Sequence, residues 1–98
     1  MNDDETYFAK LKDSGYLYVR RAENGTVLAL CPFIYTWGVC LVESVATYSS
    51  RYCYAHQGDA LIACATWNGE GDPPGPWIVH KPEGRLGPGA RHNRMAAE

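Results

Sequence analysis

Tyr16-Leu17-Tyr18-Val19-Arg20-Arg21-Ala22-Glu23-Asn24-Gly25-Thr26-Val27-Leu28-Ala29-Leu30-Cys31 reads as two strands joined by a tight turn. From Tyr16 to Arg21 the side chains alternate. Tyr16, Tyr18 and Arg20 fall on one side and Leu17, Val19 and Arg21 on the other, as in a half-buried strand. Asn24-Gly25 marks the turn, because hairpin turns that suit the strand twist need positive φ, which Asn and Gly tolerate best. Val27 to Cys31 is apolar on both sides and so belongs inside a sheet rather than at its edge. Pro32 lacks the N–H that a ladder needs, and it ends or bulges that strand.

Working outward, Asp3 to Asp13 predicts a first helix. Its acidic residues suit the positive N-terminal end, Tyr7, Phe8 and Leu11 recur at helical spacing, and Gly15 can close it. Thr36 to Glu43 gives a third strand around Trp37, Val39 and Leu41, and Ser50 to Tyr54 a last one. From Gln57 to Trp67 the period becomes helical, with Ala60, Leu61, Cys64 and Trp67 on one stripe and Gly69 as the C-terminal cap. The expected fold class is therefore α+β: a three- to four-stranded antiparallel sheet with an N-terminal and a C-terminal helix, followed by a mobile tail. The domain is expected over residues 1–69. Residues 70–98 are the Pro/Gly-rich basic tail, in which Trp77, Ile78 and Val79 form an apolar island able to dock back.

Composition narrows the setting. A chain of 98 residues makes one domain with a modest core, to which three Trp, seven Tyr and two Phe contribute large buried areas. The acidic start Met1-Asn2-Asp3-Asp4-Glu5 does not resemble a secretory signal. The longest apolar run falls far short of the ~20 residues that span a bilayer. A cytoplasmic protein without membrane contact is expected. Cys31, Cys40, Cys53 and Cys64 are spaced too widely for a zinc knuckle and read as buried, reduced thiols, with no metal or other cofactor. Residues 1–72 hold five Lys/Arg against nine Asp/Glu, whereas residues 73–98 hold four against two. Neither balance makes the positive stripe of a duplex-DNA binder.

Arg51-Tyr52-Cys53-Tyr54, then Asp59-Ala60-Leu61 and Ala65-x-Trp67, then Asn68-Gly69-x-Gly71-Asp72-Pro73-Pro74-Gly75-Pro76-Trp77-Ile78 resembles a small uncharacterised family of phage and prophage proteins. The resemblance covers residues 50–82. Family members more often carry Ser or Thr where Ala55 or His56 stands, so the helix cap they supply is missing here. The resemblance implies a phage origin and, with it, a small accessory protein that binds and inhibits a host protein. Anti-CRISPR proteins are the best-known such class, and a CRISPR effector is then among the host partners.

Chemistry is weighed on the same residues. His56, His80, His92, Ser49, Ser50, Asp59 and Asp72, along with the four thiols, are the candidate catalytic groups, but they form no nucleophile elbow, phosphate loop or zinc helix. A non-enzymatic role is expected. If both helices cover one side of the sheet, Tyr16, Tyr18, Arg20, Tyr52 and Tyr54 share the other, and Tyr and Arg are favoured at binding hot spots. Such a platform suits a protein partner first. Nucleic acid is the alternative, stacked on the same tyrosines and held by the basic tail with Trp77, Arg85, Arg91 and Arg94. A self-associating phage assembly factor, as a homodimer, is a further alternative, since a strand apolar on both sides needs cover.

Overall fold

The alternation and turn signals place most elements where they occur in the computed structural model, which describes residues 3–82 and 85–86. Helix α1 is Asp3–Ser14, strand β1 Tyr18–Arg21, β2 Val27–Pro32, β3 Trp37–Val42, β4 Thr47–Tyr54 and helix α2 Gln57–Thr66. Gly15 closes α1 at φ 128°, with its N–H on Lys12 O. At the first hairpin Gly25 takes φ 92°, and its N–H bonds Ala22 O. Pro32 ends β2, as its missing donor requires.

The second helix is not the last element. Trp77–Lys81 forms β5 and Arg85–Leu86 forms β6, so among the described residues the sheet has six strands rather than three or four. All pairings are antiparallel, in the order β1-β2-β3-β4-β5, with β6 also on β4. Regular structure therefore continues past Gly69. Nor is Gly69 the cap of α2: the C-cap is Trp67, extended, with its N–H on Ala63 O.

The two helices lie on opposite sides of the sheet, not on one. Leu11 of α1 is buried with Val19, Val27, Ala29, Cys31, Cys40, Val42 and Tyr48. Ala60, Ala63 and Cys64 of α2 are buried with Leu28, Leu30, Val39, Tyr52 and Tyr54. This explains why β2 is apolar on both sides: Val27, Ala29 and Cys31 meet the α1 layer, while Leu28 and Leu30 meet the α2 layer. Register arranges the sheet in transverse rows. Val19, Ala29, Cys40, Arg51 and Lys81 are successive cross-strand partners on the α1 side. The next row, Tyr18, Leu30, Val39, Tyr52 and His80, faces α2. A bulge between Cys53 and Tyr54 pairs these with Val79 and Trp77, leaving Ile78 as the extra residue. No helix among the described residues is long and apolar enough to cross a membrane.

Candidate functional site

The tyrosine platform expected from alternation is core. Tyr16, Tyr52 and Tyr54 are buried, and Tyr18 is half-buried against the α2 cluster. Tyr16 does not share a side with Tyr18, since it packs in the α1 layer. The strand begins only at Tyr18, so the alternation does not extend back, and Leu17, expected inside, is 50% exposed. Arg20 is also structural: its Nη1 donates to Cys64 O at 3.1 Å and Trp67 O at 2.8 Å, capping α2. These carbonyls are among the four that a helix end leaves without internal partners.

The Gly/Pro run covers the rest of the α2 side. Tyr52 Oη donates to Asp72 Oδ1 at 2.9 Å and Tyr54 Oη to Pro74 O at 2.6 Å. Trp67 Nε1 donates to Glu70 O, and Trp77 Nε1 to Pro73 O. Asn24 Nδ2 fixes the start of the run on Gly69 O, and Gly69 can sit against Asn24 because it has no Cβ and takes φ 93°. The Gly75-Pro76 peptide is cis. Tyr52 is the centre of this layer, stacked on His80 at 3.9 Å and edge-on to Trp67 and Trp77. Burial, reinforced by the bond to Asp72, pushes its phenol up to about 12.

Among the described residues the remaining polar candidates do not converge on one point. His56 is exposed at the N-cap of α2 without a side-chain cap bond, as the missing Ser or Thr implies. Asp59 lies in the first turn of α2, and Asp72 accepts from Tyr52. Ser49 Oγ donates to Leu41 O, and Ser50 is half-buried on β4. His92, Arg91 and Arg94 lie outside the described residues, and Arg85 is placed only by its backbone, opposite Tyr48. All four cysteines are unbridged and buried. Burial pushes Cys31 and Cys64 up to about 12 and Cys40 well upward, so these thiols resist ionisation. Among the described residues no three His, Cys, Asp or Glu side chains gather as metal ligands.

An open cleft of about 390 Å³ lies between Tyr7, Arg21, Thr26, Val42, Glu43 and Ser49. Its cation is already engaged. Arg21 holds Asp4 through Nε (2.9 Å) and Nη2 (2.6 Å) and Gly25 O through Nη1. The stronger surface feature is a corner of the sheet. The turn between β2 and β3 carries Ile34, 67% exposed, and Tyr35, 82% exposed. The row Pro32, Trp37, Tyr54, Trp77 brings that turn and the start of β5 to the same end of the sheet, two strands or about 10 Å apart. There Ile78, the bulged residue, is 59% exposed and Val79 is 41% exposed. Alternation alone does not reveal this corner, because it depends on β5 joining the sheet.

Comparison with protein-family models, with curated proteins and with solved structures returns no match for this chain.

Proposed function

We propose that this chain is a non-enzymatic binding protein that engages a partner protein through the apolar corner formed by Ile34, Tyr35, Ile78 and Val79. The observation that carries the reading is the exposure of these four large apolar side chains at one end of the sheet. Edge strands commonly carry charge or Pro at such positions, whereas the bulge in β5 turns an isoleucine outward. A group of exposed apolar side chains marks an interaction site, and Tyr35 among them is of a type favoured at interface hot spots. The setting attached to this reading is a phage or prophage accessory protein that binds and inhibits a host protein, a CRISPR effector among the targets. That setting is supported by the resemblance over residues 50–82 alone.

The test pairs capture with mapping. The parent chain and a Tyr35→Ala, Ile78→Asp double variant are used to capture partners from a bacterial lysate, and amide exchange is measured on the parent's complex. The variant is expected to keep its fold and lose the captured protein, and protection is expected at residues 33–36 and 77–80. Capture that survives the double change refutes the reading, as does protection elsewhere. So does a parent chain that sediments as a dimer and a variant that sediments as a monomer, since the corner is then covered by a second copy.

A further inference from the structure

Arg51 is fully buried in the middle of β4, on the α1 side of the sheet. Gly38 makes room for it indirectly. A Cβ at Gly38 would lie 2.5 Å from Phe33 Cε2, so glycine lets the Phe33 ring rest on the sheet, and the Arg51 guanidinium stacks 3.8 Å from the ring centroid. Nη1 donates to Tyr48 Oη at 3.1 Å. Nε and Nη2 are buried and have no acceptor among the described residues. The nearby thiols Cys31 and Cys40 feel this charge, yet burial holds both in the neutral form.

A second cation stands directly opposite. Lys81 of β5 is the cross-strand partner of Arg51 and therefore shares its side of the sheet. The register there is regular, as the parallel stacking of Tyr52 on His80 in the adjacent row confirms. Like charges placed opposite each other repel, and no ion pair joins either cation to an acid among the described residues. The chain itself shows what this guanidinium edge does when an acceptor is present. Arg21 holds the Asp4 carboxylate with the same two nitrogens, Nε and Nη2, side by side.

We propose that the Nε/Nη2 edge of Arg51, backed by Lys81, binds a small oxyanion of carboxylate or phosphate type. The row runs from fully buried Arg51 to half-buried Lys81, so the β5 edge is the way in. A planar fork fits two oxygens of one anion, and the second cation offsets the charge that a single arginine leaves. The site lies on the α1 side and does not rest on the corner proposed for a partner protein.

The test is thermal unfolding of the full chain in inorganic phosphate, in acetate and in chloride at equal ionic strength. At about tenfold excess over its Kd, a bound anion raises the Tm of a domain of this size by roughly 6 °C or more. Phosphate or acetate is expected to exceed chloride, and the effective salt identifies the class. Arg51→Met should abolish the rise and Lys81→Met reduce it. Equal melting in all three salts overturns the proposal, and so does a rise that persists in Arg51→Met. Should Arg51→Met not fold, the parent's Arg51 Nε–H resonance decides: it is expected to shift saturably with the effective anion, and a resonance that does not move overturns the site.

Discussion

Replacing Arg20 by Met removes a guanidinium that holds two carbonyls at the end of α2, 3.1 Å from Cys64 O and 2.8 Å from Trp67 O, while much of the aliphatic stem is kept. The side chain is 20% exposed, so solvent only partly replaces the lost donor. A hydrogen bond from a charged donor contributes about 1.5–3 kcal/mol net. A cation at a helix C-terminus adds about 0.3–1 kcal/mol. Because both carbonyls share one nitrogen, the second bond does not double the first. The 3.4 Å ion pair to exposed Glu23 adds little. The sum is about 2–4 kcal/mol, which for a chain of this size lowers Tm by roughly 8–20 °C. Circular dichroism melts, checked by urea titration with an unchanged m-value, measure it. Arg20→Lys, which keeps the charge but loses the fork, should lose about half as much. If Arg20→Met melts within about 2 °C of the parent, the cap is not structural and the residue returns to the interface first read from the sequence.

Three further outcomes follow from the packing. Trp77→Ala should cost about 2–3 kcal/mol in urea unfolding, below the range for a fully buried aromatic ring because this one is half-buried, and an unchanged midpoint would mean that β5 does not pack. Gly38→Ala should cost about 1–3 kcal/mol, since its methyl group displaces the Phe33 ring from Arg51, and a stability equal to the parent's would contradict that packing. Stability should also fall at alkaline pH. Cys31 and Cys64 rise from an ordinary 9, and Tyr48 and Tyr52 from 10, to about 12 in the folded chain. Their contribution is thus complete below pH 9 and is lost between pH 9 and 12, as the unfolded chain ionises first. Urea midpoints that do not change from pH 8 to 11 would contradict it.

Local signals account for α1, β1 to β4 and α2, because alternation, helical spacing, the Asn24-Gly25 turn and Gly15 each act within a few residues. The side on which each helix packs is not local. A strand apolar on both sides, such as β2, is compatible with cover from one helix and a partner or from two helices, and only the tertiary packing selects the second. The tyrosines misled for a related reason. A Tyr on a strand is as much a ring to bury as a hydroxyl to hydrate, and the acceptors of Tyr52 and Tyr54 lie 20 residues downstream in the Gly/Pro run. That run in turn reads as a breaker. Its glycines, Gly69 at φ 93° and Gly71 at φ 64°, instead turn the chain back so that its carbonyls meet buried donors. Arg51 was equally hidden, since a charge on a strand reads as solvent-facing until a distant glycine and phenylalanine roof it.

The order of pairing also bears on how the chain assembles as it is made. Each strand from β2 to β4 pairs with the one synthesised just before it, so the sheet can grow in step with elongation through short-range hairpins. Tyr52 breaks that sequence. It emerges among neighbours on β3, but the indole rings and imidazole that enclose it are Trp67, Trp77 and His80, 15 to 28 residues later. Until they arrive, a nascent meander shows a bare row of Leu30, Val39 and Tyr52 along with an unpaired β4 edge, the kind of surface that a chaperone or a neighbouring nascent chain would meet first.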